Sequence, residues 1–116
     1  MKFSPPNKIR YMLDRLEEEN PEALLIGNEH EREEYGYDRA IIGLGCQYSR
    51  PLLPIYSYSL LVNVFCEMFS KNSPEDEDYD PHEAAVEWVD FNVVGAWMGE
   101  GTPIIVQDCE EMLWGA

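Results

Sequence analysis

Carboxylates are the residues in this chain whose type and spacing could do chemistry. Glu83, Glu87 and Asp90 stand at i, i+4 and i+7, which on a helix sets them in one row along a single face. With a rise of about 1.5 Å per residue, neighbours in that row lie roughly 4.5–6 Å apart along the axis, broadly the repeat of phosphates along a nucleic acid strand. Glu75, Asp76, Glu77, Asp78 and Asp80 precede them and would lengthen the row into a negative stripe. Such a stripe could occupy the basic groove of a nucleic-acid-binding protein. The structural alternative is a solvated helix face beside an acidic loop. No Lys or Arg follows Lys71, whereas an ordinary soluble face mixes both signs, and this favours a binding surface.

Other chemistries fit less well. The acidic run 75–80 is rich in hard oxygen ligands suited to Ca²⁺ or Mg²⁺. Counted from Glu75, however, Asp80 and Val86 stand where an EF-hand loop needs its sixth-position Gly and twelfth-position Glu. No metal site is expected. Gly95, Gly99 and Gly101 leave a helix instead of opening one and no Lys follows, so they terminate the helix and do not cradle phosphate. His30 and His82 are the only histidines, and no nucleophile sits in a recognisable elbow beside either. Cys46, Cys66 and Cys109 form no CxxC pair, so they are read as reduced thiols without zinc or disulfides. Neither catalysis nor a cofactor is expected.

Composition sets the class of partner. The 116 residues hold 23 Asp+Glu against 8 Lys+Arg, a net charge of −15. Nucleic acid and anionic membranes would both repel such a surface; a basic protein surface would not. The charge is uneven, −3 over residues 1–50 (7 basic, 10 acidic) and −12 over residues 51–116 (1 basic, 13 acidic). At 45% hydrophobic the chain exceeds what a disordered acidic tail contains, and its length suits one domain. No run reaches the roughly 18 apolar residues of a membrane span. No apolar leader follows Met1, so a cytoplasmic protein is expected.

These carboxylates need elements to hold them. Ile9, Met12, Leu13 and Leu16 repeat as one face of a first helix, with Ser4 as N-cap, Pro5 and Pro6 in its first turn, and Pro21 beyond its end. Residues 22–26 suit either an extension of that helix or a short strand, and 28–38 read as a surface connection broken at Gly36. Residues 39–44 and 51–56 read as a hairpin in which Pro51 and Pro54 favour an edge position or a short strand. A helix carrying Leu61, Val64, Phe65 and Met68 follows, capped by Ser57 or Ser59. Asp80-Pro81-His82-Glu83 is the clearest helix start, an N-cap followed by Pro and a capping-box Glu. Its helix turns Ala85, Val86, Val89, Val93 and Trp97 inward, while Trp88 and Phe91 fall off that stripe onto a second packed face, a candidate partner surface or homodimer contact. Asn92 is expected to bond to the turn or hairpin. Residues 102–107 form a last strand.

Ala40-Ile41-Ile42-Gly43, Tyr56-Ser57-Tyr58-Ser59-Leu60-Leu61-Val62, the Ala-rich helix with Phe91-Asn92, and Gly99-Glu100-Gly101-Thr102-Pro103-Ile104-Ile105-Val106 together resemble a group of small acidic proteins encoded by phages and prophages. The resemblance covers residues 39–107 and its motifs are mainly structural. It implies a mobile-element origin and, by analogy, inhibition of host defence, as anti-CRISPR proteins do, several of them as DNA mimics. The combined expectation is an α+β domain with a small antiparallel sheet of about three strands packed by two helices. Residues 1–38 are an added N-terminal helical element, 39–107 the core and 108–116 an acidic tail. The expected function is that of an acidic, non-enzymatic inhibitor in the host cytoplasm, binding a basic nucleic-acid-binding surface such as that of a CRISPR effector through Glu75, Asp76, Glu77, Asp78, Asp80, Glu83, Glu87 and Asp90. The alternative is a structural or regulatory phage protein that binds a partner, or a second copy of itself as a homodimer, through an apolar surface.

Overall fold

The structure, a computed structural model, describes residues 2–71 and 78–108. Helix α1 spans Asn7–Glu19 and buries Ile9 and Leu16, two of the four residues on its apolar stripe. It starts later than Ser4 would set it, with Pro6 as an extended N-cap that makes no side-chain bond. Pro6 disfavours helical backbone at Pro5 before it, so the chain stays extended through both prolines. The Ser4 hydroxyl instead accepts a hydrogen bond from the Arg10 guanidinium.

The expected surface connection contains a second helix, α2 (Glu29–Tyr35). The Asn28 side chain accepts from the Glu31 N–H at 2.8 Å, and the Glu31 carboxylate accepts from the Asn28 N–H at 2.9 Å. This capping box satisfies two of the N–H groups that a helix start leaves unpaired. Gly36, at φ 71°, ends the helix in the left-handed conformation that glycine adopts most easily. A 3₁₀ turn, Tyr37–Ala40, then buries Tyr37, Asp38 and Ala40. Asp38 is 3% exposed and accepts three hydrogen bonds of 2.9–3.2 Å from Arg32. Those bonds, working against burial, hold the Arg32 guanidinium above its ordinary pKa.

Three strands follow, β1 (Ile41–Gly45), β2 (Leu53–Ser57) and β3 (Ile104–Val106), in the order β1-β2-β3. β1 and β2 form the expected antiparallel hairpin, with a register shift between Ile41 and Gly43. β3 runs parallel to β2, so the sheet is mixed and not antiparallel throughout. The cause is connectivity. Two helices separate β2 from β3, a connection long enough to permit the parallel return that a tight turn could not make. Of the two readings the prolines allowed, β2 is the short strand, five residues long, and it is central, not at an edge. β3 pairs only with Ile55, Tyr56 and Ser57, so at Pro54 one side of the strand has no ladder for the missing N–H to break.

Helices α3 (Tyr58–Lys71) and α4 (Pro81–Val89) pack against each other. Their buried residues Leu61, Val62, Val64, Phe65, Ala85 and Val89 join Tyr56 of β2 in one core, which also takes in Ile9 and Tyr37 from the N-terminal segment. Polar ties join that segment to the rest. The Ile26 N–H donates to the Tyr56 hydroxyl at 3.0 Å, the Leu24 N–H to the Gly101 carbonyl at 2.9 Å, and the Asn20 amide to the Leu52 carbonyl at 2.8 Å. Burial pushes the Tyr56 phenol well above its ordinary pKa, against the Ile26 bond that lowers it.

Candidate functional site

The local sequence sets α4 as expected at its start. Asp80 is the N-cap and accepts from the His82 N–H at 3.0 Å, with Pro81 at the first helical position. The Asp80 bond lands on the second helical N–H and not on that of Glu83, so the reciprocal capping box is not the arrangement used. At the C-terminal end the helix widens into a π turn, Asp90–Val94. Its ladder reaches five residues back, with the Gly95 N–H donating to the Asp90 carbonyl. This wider turn and the end of the helix undo the 3.6-residue phase. Trp97, expected inward, is therefore 76% exposed. Asn92 bonds neither turn nor hairpin; its amide donates to the Trp88 carbonyl of its own helix at 3.1 Å.

Of the expected carboxylate stripe, Glu75, Asp76 and Glu77 lie outside the described residues. Asp78, Asp80, Glu83, Glu87 and Asp90 are all exposed. Glu83 and Glu87 stand one turn apart, and among the described residues neither has an ion-pair partner. Asp90 differs, because its carboxylate accepts from the Tyr58 hydroxyl at 2.7 Å. Desolvation, helped by this bond, pushes the Tyr58 phenol up to about 12. Asp80 is likewise held by its capping bond. Glu83 and Glu87 are the two members of the helical row whose carboxylates no other described residue engages.

Elsewhere the charges pair. Arg15–Glu19, Arg32–Asp38 and Arg39–Glu67 lie at 2.7–3.0 Å, and Lys2–Glu33 at 3.4 Å. Seven of the chain's eight Lys and Arg lie in residues 1–50, while residues 78–108 carry seven carboxylates and no Lys or Arg.

Two apolar features stand out: the second face expected at Trp88 and Phe91, and a groove that the expected site did not include. Trp88 lies edge-on to Phe69, ring centroids 6.1 Å apart at 81°, and is 46% exposed, while Phe91 is 82% exposed. Together with Tyr79, Ala84 and Glu87 they line a shallow cleft of about 300 Å³. The signal for it was in the sequence, since Ala84, Glu87, Trp88 and Phe91 recur at i, i+3, i+4 and i+7, a second helical stripe. The other feature is a groove of about 700 Å³ where Trp97, Val94 and Ile104 meet Leu53 and Cys46, with Arg50 and Glu100 3.9 Å apart at its margin.

Asp108, expected as the start of an acidic tail, caps α3 from outside that helix. Its carboxylate accepts from the Ser57 hydroxyl at 2.6 Å, the Ser59 N–H at 2.9 Å and the Ser59 hydroxyl at 3.0 Å. Desolvation pushes its pKa up, but the bonds from Ser57 and Ser59 outweigh it and hold the carboxyl below its ordinary value. Among the described residues no group of three His, Cys, Asp or Glu side chains comes together as a metal site, and no helix is long and apolar enough to cross a membrane. Comparison with protein-family models, curated proteins and solved structures gives no match to this chain.

Proposed function

We propose that this chain is a non-enzymatic interaction protein that docks the α4 face on a basic, nucleic-acid-binding surface of another protein, its carboxylates standing in for phosphates. One observation carries the reading: Glu83 and Glu87 are exposed one turn apart, with no cation of their own to neutralise them. Like charges held unpaired on one face self-repel, and a basic partner relieves that repulsion on docking. In the setting that the sequence resemblance implies, the partner is a host defence complex such as a CRISPR effector and this chain is its inhibitor.

Displacement of DNA from purified effector complexes tests this, with the Glu83→Lys/Glu87→Lys double variant as comparison. Asp90 is left alone because of its bond to Tyr58. The native chain should displace DNA, less so as salt rises from about 50 to about 200 mM, and the double variant should lose at least about tenfold in potency, about 1.4 kcal/mol. Equal potency of the two proteins would sink the reading.

The groove at Trp97 favours a second reading, self-association through an apolar face. An exposed indole beside the half-open edge residues Ile104 and Val106 is the surface that a second copy would cover. Sedimentation should then show a dimer that persists at high salt and dissociates in Trp97→Asp.

A further inference from the structure

Resting on the acidic docking reading, we propose that the cleft beside α4 receives the guanidinium of an arginine side chain on the partner. Trp88, Phe91, Phe69 and Tyr79 present ring surface around it, and the Glu87 carboxylate stands at its lining. Phe91 leaves 82% of its surface in water and Trp88, packed on Phe65 and Phe69, 46%, so ring surface remains open to a ligand. Ring faces carry negative charge density and attract cations, and the tryptophan indole does so best. A carboxylate beside the rings supplies the full charge and two acceptor oxygens.

The chemistry selects arginine over lysine. A guanidinium is planar, weakly hydrated and delocalised, so it stacks on a ring while its N–H fork meets a carboxylate. An ammonium is a compact, strongly hydrated point charge that does neither. The volume, about 300 Å³, suits one side chain and not a helix or strand. The charge is complementary as well, because no Lys or Arg occurs between residue 72 and the C-terminus. Basic surfaces that grip phosphates are rich in the same guanidinium groups, so the cleft supplies an anchor that a row of carboxylates alone lacks.

The test needs no natural partner. Hexa-arginine and hexa-lysine peptides are titrated into the full chain at about 50 mM salt, following the three tryptophan indole N–H signals by NMR, with Trp97→Phe and Trp114→Phe assigning the Trp88 signal. The Trp88 signal should move with hexa-arginine, which should bind at least fivefold more tightly than hexa-lysine. Phe91→Ala, at a site too exposed to threaten folding, and Glu87→Gln should each weaken hexa-arginine binding by roughly two- to fivefold. Equal affinity for the two peptides, a stationary Trp88 signal, or insensitivity to Phe91→Ala overturns the proposal. Equal, salt-sensitive binding of both peptides that Glu83→Lys/Glu87→Lys abolishes would remove the arginine cleft and leave acidic docking standing. Selective arginine binding by a chain whose displacement of DNA ignores that charge reversal would do the reverse.

Discussion

Asp108 shows how one side chain can tie distant parts of a small fold. It lies just past β3, yet its carboxylate holds the first turn of α3 through Ser57 and Ser59, adding to the expected local cap in which the Ser57 hydroxyl accepts from the Leu60 N–H at 3.2 Å. A carboxylate there also faces the positive end of the helix dipole. Asp108→Ala should cost about 1 kcal/mol at pH 7, the usual cost of losing a helix cap, measured by urea unfolding. The pH dependence has a definite sign. The folded pKa is below the unfolded value, so the clamp stabilises fully above about pH 4 and is lost as pH falls through the folded value. The native chain and Asp108→Ala should therefore converge in stability as pH falls through the folded value. A constant gap would overturn the clamp's role. Tyr58 and Asp90 make a similar tie between α3 and α4, which is why the helical row offers two open carboxylates and not three.

Among the elements, the turn before β3 decides how the N-terminal segment meets the sheet. The Thr102 hydroxyl accepts from the Met98 N–H and donates to the Gly99 carbonyl, closing the loop tightly. Gly101 then lies against the backbone of residues 22–24, where a Cβ would stand 2.5 Å from the Glu22 carbonyl oxygen. A backbone atom cannot swing aside as a side chain can. Gly101→Ala should accordingly cost about 1–3 kcal/mol, read as a lowered urea midpoint with unchanged slope. An unaltered midpoint would show that residues 22–24 are not held there. The same element-scale logic applies to α2, a helix of seven residues too short to persist on propensity alone. Its capping box and the Gly36 C-cap fix both ends, while Arg32 clamps the turn beyond it to the helix.

For the whole molecule, the arrangement of the core matters most. Ile9, Leu16 and Tyr37 are buried, and Tyr37 stacks on Phe65 of α3 at 5.2 Å between ring centroids. Removing residues 1–38 would uncover that face of α3 and leave the Tyr56 hydroxyl without the Ile26 N–H. The remaining chain should lose cooperative thermal unfolding and bind a hydrophobic dye such as ANS. Retention of a sharp transition would show that residues 39–107 fold alone. Charge acts on the same scale. Residues 1–50 come close to balance at −3, so most of the excess negative charge falls on residues 51–116, which include α4.

Much of this was legible in the residues. The apolar stripes of α1 and α3, the Asp80-Pro81 start of α4, the hairpin and the last strand all follow from periodicity and capping chemistry, because those act within a few residues. The exposed Glu83–Glu87 pair was legible for the same reason. The second face through Trp88 and Phe91 was legible in the same way, whereas one local signal, the Asn28–Glu31 capping box, was outweighed by the polarity around it. The direction of β3 relative to β2, the central place of a proline-bearing strand, the outward turn of Trp97 and the reach of Asp108 to α3 were decided only in three dimensions. Each depends on partners far apart in the chain, or on a phase change at the π turn, and no spacing between neighbours encodes either. The sequence by itself determined that this protein carries its negative charge late in the chain and on a helix. Tertiary packing decided which of those carboxylates are tied down by Tyr58 or by a capping bond, and which face outward beside aromatic rings.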